Sequence, residues 1–229
     1  MRGILFDMDG TLLDIDLSSF LRRYFAGIGA AAAASFPGVD VMPAILQSTT
    51  AMQEPHPGRT NREEFYADFL ARTGLDLDEH WPVFERFYRE VFPTLRDGEG
   101  PHRGARQAVE TALGLGVRVA IATNPIFPQT AQRTRLAWAG LDDLDLPVVT
   151  SYELMHSCKP DPAYFLETAA IIGVDPLRCI MVGDDRSLDL AAADVGMRTF
   201  YVGGDVGVHA DWSGDLTDLA ALLPRLIED

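Results

Sequence analysis

The sequence predicts an α/β protein in which a parallel sheet is interrupted, after its first strand, by an all-helical module. Two observations lead to this prediction. From about residue 103 onward, short apolar runs alternate with helical patterns, and this alternation indicates βαβ units whose parallel sheet is covered on both faces. Residues 15–100, in contrast, contain helical patterns only. We therefore assign residues 1–14 and 101–229 to the α/β part and residues 15–100 to the inserted module.

The α/β part begins with residues 3–6, a short apolar run that is followed at once by acidic residues and Gly10. Such a run is typical of a strand buried on both faces, with a loop at its carboxyl end. Further strands are predicted at residues 117–122, 147–150, 179–183 and 199–202. Helices are predicted near residues 103–115, 128–139, 161–172, 186–194 and 215–223.

The inserted module is predicted to contain helices near residues 17–34, 40–52, 61–73 and 81–92. The third of these has clear end signals: Thr60 and Glu63 have the spacing of a capping box, and Gly74 follows the last helical residue. In the fourth, apolar side chains recur at helical spacing, which indicates a face buried in the protein core.

The charge balance excludes some partners. The 229 residues include 19 Lys and Arg against 34 Asp and Glu, a net charge of −15, so nucleic acid and anionic membranes are not expected partners. No apolar run is long enough to span a bilayer, and no signal sequence opens the chain, so a cytoplasmic protein is predicted. Cys158 and Cys179 are predicted to be reduced thiols, and the five histidines to be neutral surface residues.

Polar residues follow the predicted strands at their carboxyl ends, where open parallel sheets bind ligands. The candidates are Asp7, Asp9 and Thr11 after the first strand, Thr123 and Asn124 after the second, Lys159 beyond the third, and Asp184, Asp185 and Asp189 after the fourth. Lys159 is the single lysine among 19 basic residues. A position that needed positive charge alone would be expected to hold arginine, as the other 18 basic positions do.

These residue types suit metal-assisted phosphoryl transfer. Several carboxylates in one crevice need a counterion, and hard oxygen ligands favour Mg²⁺, whereas neither Cys nor His directly follows a predicted strand, which disfavours zinc. Asp7 can act as a nucleophile towards phosphorus, and Asp9 can protonate the leaving oxygen and then activate water. Thr123 and Asn124 can hold phosphoryl oxygens, and the Lys159 ammonium can screen the nucleophile and the transferring group.

Because these residues occur in this order along the sequence, the chain resembles the haloacid dehalogenase superfamily. It is most similar to the phosphatase branch with an inserted helical cap, which includes phosphoglycolate phosphatases and β-phosphoglucomutases. The resemblance covers the whole chain. The four family motifs are matched by Asp7-x-Asp9-x-Thr11, by Ile121 to Asn124, by Lys159-Pro160, and by Gly183-Asp184-Asp185 with Asp189 and Gly196-Met197.

The resemblance implies a Rossmann-like core, a helical cap formed by residues 15–100, and Mg²⁺-dependent hydrolysis of a phosphomonoester through an aspartyl-phosphate. The resemblance also implies that Asp7 is the nucleophile, that Asp9 is the general acid and base, and that both residues are metal ligands. Asp184 is a further metal ligand, and Asp185 or Asp189 can be the second acid that approaches the metal.

Single residues distinguish this chain from superfamily members with other activities. Dehalogenases lack the second acid, whereas Asp9 is present, and phosphonate-cleaving relatives need a cap lysine, which residues 15–100 do not contain. A sugar-phosphate mutase remains open because it shares the core motifs. A non-catalytic phosphometabolite-binding protein would be expected to have lost an acid or the lysine.

Substrate recognition is predicted to depend on the cap. Arg59, in a loop between cap helices, can meet a second anionic group of the substrate, although a solvated surface charge is an equal interpretation. The cap carries 8 arginines against 13 acidic residues. We therefore expect a small phosphorylated metabolite rather than a macromolecule, and the oligomeric state stays open.

Overall fold

A computed structural model describes residues 2–204 and 209–228. Its strands are β1 (Gly3–Phe6), β2 (Leu13–Asp14), β3 (Gly100–Pro101), β4 (Arg118–Ile121), β5 (Val148–Val149), β6 (Cys179–Gly183), β7 (Arg198–Val202) and β8 (Trp212–Gly214). Its α-helices are α1 (Leu17–Ser35), α2 (Met42–Ala51), α3 (Asn61–Thr73), α4 (Leu77–Arg86), α5 (Ala105–Gly114), α6 (Gln129–Trp138), α7 (Pro162–Ile172) and α8 (Leu216–Glu228). None of these helices is long and apolar enough to cross a membrane.

Six strands form one parallel sheet in the order β5-β4-β1-β6-β7-β8, which confirms the predicted Rossmann-like α/β core. The first strand lies in the middle, and Phe6 at its end is paired with Ile121 of β4 and Val182 of β6. All four residues of β1 are buried, as expected for a central strand that is covered on both faces. Because β1, β4 and β6 end at the same level, the residues that follow them meet at one edge.

Alternate side chains of β1 pack on opposite faces of the sheet. Ile4 and Phe6 belong to the larger apolar cluster, which includes buried residues of α5, α6 and α8. Leu5 belongs to the second cluster, together with Tyr164 and Phe165 of α7. The core therefore has two apolar layers, one on each side of the sheet.

The region between β2 and β3 is helical, as predicted. In α3, the Thr60 hydroxyl accepts from the Glu63 amide, the Glu63 carboxylate accepts from the Thr60 amide, and Gly74 ends the helix in the left-handed conformation, so both end signals are confirmed. The helix predicted near residues 81–92 differs from the observed one. The observed helix begins earlier because the Asp76 carboxylate caps it, and after Arg86 it continues as a π-helix (Phe87–Val91) and a 3₁₀-helix (Phe92–Leu95).

The helical region packs against the core through aromatic side chains. Phe20 of α1 meets Phe127 and Trp138 of the core edge-on, with ring centroids 6.3 and 5.8 Å away. The two-stranded ribbon of β2 and β3, with Leu13 opposite Pro101, brings the two ends of the helical region together. We propose that this ribbon joins cap and core, at the predicted boundaries after residue 14 and before residue 101.

Two details of the predicted core were wrong. In place of a helix near 186–194, the structure has a short 3₁₀-helix (Leu190–Val195), since the Asp185 side chain accepts from the amides of Ser187 and Leu188 and turns the chain there. Strand β8 was not predicted. It is only three residues long and has no apolar run to mark it.

Candidate active site

A cleft lies where β1, β4 and β6 end, between the sheet and the first cap helix. It is lined by nearly all the predicted site residues, namely Asp7, Asp9, Thr123, Asn124, Lys159, Asp184, Asp185 and Asp189. Arg59 is not among the described residues that line it.

Lys159 is held between two carboxylates on the floor of this cleft. Its Nζ donates to Asp7 Oδ1 at 2.7 Å and to Asp189 Oδ1 at 2.6 Å, and the residue is 4% exposed. Burial lowers the pKa of the ammonium, but the attraction of Asp189 and Asp7 outweighs it, so the pKa of Lys159 is raised and the side chain is charged. The single lysine of the chain is therefore a buried charge and not an exposed remnant.

Three acids form a compact group next to this lysine. Carboxylate oxygens of Asp7, Asp184 and Asp189 lie within 4.8 Å of one another. Burial raises the pKa of Asp7 and of Asp184, and it raises the pKa of Asp189 to about 6. One ammonium does not neutralise three carboxylates, of which two are buried and that of Asp184 is half-buried, and three hard oxygen donors at this spacing suit a divalent cation such as Mg²⁺.

Two glycines allow these acids to approach the backbone. A Cβ on Gly10, which has φ +79°, would lie 2.3 Å from Asp184 Oδ2, and a Cβ on Gly183 would lie 2.2 Å from Asp189 Oδ2. The Thr11 hydroxyl fixes Asp184 further by donating to its Oδ1 at 2.7 Å. Side chains at either glycine would displace a carboxylate from the group.

The sequence left Asp185 and Asp189 as alternatives, and the structure separates them. Asp189 is buried, and its carboxylate accepts hydrogen bonds from the Lys159 ammonium and, at 3.0 Å, from the Asp185 amide. The Asp185 carboxylate instead accepts from the amide and hydroxyl of Ser187. Although burial acts to raise the pKa of Asp185, these hydrogen bonds lower it. Asp189 thus joins the acid group, and Asp185 stabilises the loop between them.

Thr123 and Asn124 are fixed at the end of β4. The carbonyl of Thr123 accepts from the hydroxyls of Thr150 at 2.6 Å and Tyr164 at 2.9 Å. The Asn124 Oδ1 accepts from the backbone amide of Lys159 at 3.2 Å. These contacts link the two loops, so that Thr123 and Lys159 are held at the same cleft.

Arg135 is a site residue that the sequence did not predict. It lies on α6, is 1% exposed, and forms an ion pair with Asp9. Its Nη1 donates to Gln132 Oε1 at 2.7 Å, and its guanidinium stands 5.1 Å from the Phe127 ring centroid. Burial lowers the pKa of Arg135 to about 10. The spacing of Ala131, Arg135 and Trp138 could have indicated this position, because it places the arginine on the same buried helix face as the two apolar residues.

The cap loop near Arg59 approaches the core through a different residue. The Arg59 side chain is 55% exposed and donates to Glu64 at 3.0 Å. Asn61, in contrast, is buried, and its Nδ2 donates to the carbonyls of Pro125 and Ser157, both at 3.2 Å. His56 lies 2.9 Å from Asn61 Oδ1 and is buried, so the prediction of a surface histidine was wrong there.

Comparisons with known proteins show which family the chain resembles. The family model of haloacid dehalogenase-like hydrolases matches residues 1–195. A phosphatase of Mycobacterium tuberculosis is 32% identical over 157 residues, which cover 69% of this chain and 70% of that protein. A phosphoglycolate phosphatase of Nitrosospira multiformis is 26% identical over 235 residues, covering 100% and 93% of the two chains.

Solved structures show the same fold. A 2-haloacid dehalogenase from Pseudomonas syringae pv. tomato aligns over 98% of this chain and 99% of its own, with a TM-score of 0.62 and 23% identity. The match to the family model extends from β1 to the 3₁₀-helix after β6, and so includes the polar residues at all four strand ends, whereas Gly196-Met197 of the fourth motif lies just beyond it. The chain belongs to the haloacid dehalogenase-like hydrolases, and within that family it is a phosphoric monoester hydrolase.

Proposed function

We propose that the protein hydrolyses a small phosphorylated metabolite in a Mg²⁺-dependent reaction, with Asp7 forming an aspartyl-phosphate. The observation that carries this proposal is the buried Lys159 ammonium, which lies 2.7 Å from Asp7 and 2.6 Å from Asp189. This ammonium holds the nucleophilic carboxylate in one orientation and reduces its repulsion of an incoming phosphate. A purely structural ion pair would not need a third carboxylate, Asp184, beside it.

In the first step, a carboxylate oxygen of Asp7 attacks phosphorus and the bond from phosphorus to the ester oxygen breaks. Asp9 donates its proton to the departing oxygen, so that the alcohol leaves neutral. In the second step, Asp9 takes a proton from water, the water oxygen attacks phosphorus, and Asp7 is released with inorganic phosphate. Thr123, Asn124 and Lys159 bind the phosphoryl oxygens during both steps.

Asp7, Asp184 and Asp189 would provide the carboxylates of the metal site, together with the backbone carbonyl of Asp9. When bound, Mg²⁺ supplies positive charge that compensates the acids and the phosphoryl group. The grouping of these three carboxylates within 4.8 Å supports this assignment, since the single ammonium of Lys159 balances only one negative charge.

Arg135 acts as a positioning residue. Its ion pair with Asp9 and its hydrogen bond to Gln132 hold the Asp9 carboxylate in one place. Accurate placement of the proton donor matters, because small displacements from the productive geometry are costly in rate.

A phosphate-release screen over a metabolite library, with Mg²⁺ and with excess chelator, tests the proposal. The library includes phosphoglycolate, because relatives at about a quarter identity carry that substrate in their names. Multiple-turnover release that needs Mg²⁺ and is lost in Asp7→Asn supports a phosphatase. Isomerisation of a substrate without release of phosphate would indicate a mutase, and lack of activity on every substrate would indicate a binding protein.

A further inference from the structure

Polar and apolar side chains both line the cleft. Besides the acids, Lys159, Arg135, Thr123 and Asn124, six apolar side chains contribute to it, and we call these six the apolar walls. They are Ile15, Leu17 and Leu21 from the start of the cap, Ile126 and Phe127 from the loop after β4, and Leu188 from the loop after β6. Leu17 is 43% exposed, and only Phe127 of the six is fully buried. Apolar side chains left open in a cleft mark a surface that binds apolar groups.

Positive charge in the cleft is already paired. The described residues that line it include two cations, Lys159 and Arg135. Lys159 is bound to Asp7 and Asp189, and Arg135 to Asp9. A second anionic group on the substrate would therefore meet apolar walls and acidic neighbours, and burying it unpaired would be unfavourable.

The chemistry sets the direction of the leaving group. In-line displacement places the departing oxygen on the side of phosphorus opposite Asp7. Because Asp7 stands at the edge of the sheet, the leaving group points away from the floor and towards the apolar walls. The part of the substrate that distinguishes one phosphomonoester from another thus contacts the side chains around Leu21 and Ile126.

The apolar surface continues beyond the cleft. Ile126 also lines a neighbouring cavity between the cap and the core, whose walls include Tyr24, Tyr66, Trp81 and Tyr88 of the cap and Tyr152 of the core. This cavity is predominantly aromatic, so a longer apolar group that passed Ile126 would meet further apolar surface.

We propose, on the basis of the phosphatase function proposed above, that the leaving group is an uncharged, apolar alcohol or phenol. The preferred substrates are then monophosphate esters of hydrophobic alcohols, in place of phosphorylated hydroxy acids or sugars. The apolar wall formed by Leu17, Leu21 and Ile126 selects them.

A matched pair of substrates tests this selection on the full-length enzyme with Mg²⁺. Ethyl phosphate and phosphoglycolate have the same two-carbon skeleton, with a methyl group in one and a carboxylate in the other. We expect kcat/KM to be at least tenfold higher for ethyl phosphate. From ethyl to hexyl phosphate it should rise by up to about fourfold for each added methylene, which corresponds to ~0.8 kcal/mol for a buried methylene.

Substitutions in the wall should shift the preference towards phosphoglycolate. Leu21→Arg places a cation above the floor and should raise the ratio of kcat/KM for phosphoglycolate over ethyl phosphate by tenfold or more. Leu21→Gln has similar length but no charge and should leave that ratio within about threefold. Leu17→Arg, at an exposed position, provides the same test if Leu21→Arg fails to fold. An unchanged ratio in a folded arginine variant would overturn the proposal.

Binding of phosphonates separates this proposal from the catalytic one. The dissociation constants of ethyl-, butyl- and hexylphosphonate should fall with chain length, and phosphonoacetate should bind more weakly than ethylphosphonate. If the phosphonates bind in this order of affinity but no ester is hydrolysed, the proposed phosphatase function is refuted and the apolar subsite is supported. If phosphoglycolate is hydrolysed best and chain length has no effect, the apolar subsite is refuted and the phosphatase function stands.

Discussion

Replacing Lys159 with arginine tests whether the site needs a compact ammonium or only a positive charge. The ammonium nitrogen fits between Asp7 and Asp189, at 2.7 and 2.6 Å, in a position that is almost fully buried. A guanidinium is planar, wider and prefers bidentate partners. It can keep an ion pair with one carboxylate, but it must displace Asp7 or the phosphoryl group from in-line geometry.

Two magnitudes follow from this geometry. Overpacking of a close-packed site costs about 1–3 kcal/mol of stability, or roughly 2–12 °C in Tm for a chain of this size. Loss of one preorganised electrostatic group lowers kcat by about 10²–10³-fold. Lys159→Arg should therefore remain folded at room temperature and lose at least about a hundredfold in kcat.

The assay measures kcat for an aryl phosphate at saturating Mg²⁺ alongside Tm. Lys159→Met is the matched variant, since it has similar length and no charge. It leaves Asp7 and Asp189 without their cation and should be inactive and less stable than Lys159→Arg. Wild-type turnover in Lys159→Arg would refute the reasoning. So would unfolding of that variant in proportion to its loss of activity.

Three further variants or probes test neighbouring parts of the site. Asp9→Asn should lose more kcat with alkyl phosphates than with aryl phosphates, whose leaving group needs no proton, and equal losses would contradict a general acid at Asp9. Arg135→Met should lower kcat for alkyl phosphates and leave KM almost unchanged, because the Asp9 carboxylate loses the cation that holds it in place, whereas Arg135→Lys should keep most of kcat; wild-type kcat in a folded Arg135→Met variant would remove the positioning role. Burial raises the pKa of Cys158 to about 12 and of Cys179 to about 11, so both thiols should resist a disulfide reagent at pH 8 until the protein is denatured, and rapid reaction of the native protein would contradict their burial.

Much of the fold and of the acid group could be predicted from local sequence. Runs such as residues 3–6 and 179–183 are almost entirely apolar, and a parallel strand buried on both faces requires this composition. Because parallel strands end at one edge, Asp7, Thr123 and Asp184 could be placed together without any knowledge of packing. Lys159 could also be predicted as a site residue without knowledge of packing, because it is the single lysine among 19 basic residues.

Residues whose roles depend on tertiary packing could not be predicted in this way. Arg135 lies within α6, far from any strand end, and reaches Asp9 only because that helix packs beside the sheet. Asn61 follows a capping residue and looked like an ordinary helix start, yet it contacts the core at Pro125 and Ser157. The choice between Asp185 and Asp189 depended on a turn whose conformation the sequence did not specify.

Trapping of the covalent intermediate tests the central claim most directly. The Asp9→Asn variant is mixed with an aryl phosphate and Mg²⁺, because an aryl leaving group departs without a proton while hydrolysis of the intermediate lacks its base. Acid quenching, digestion and mass spectrometry then locate any phosphoryl group. We predict a phosphoryl group on Asp7 that forms within the first turnover and is absent from the Asp7→Asn, Asp9→Asn double variant. Turnover without a phosphorylated Asp7, or a phosphoryl group on another residue, would contradict the account.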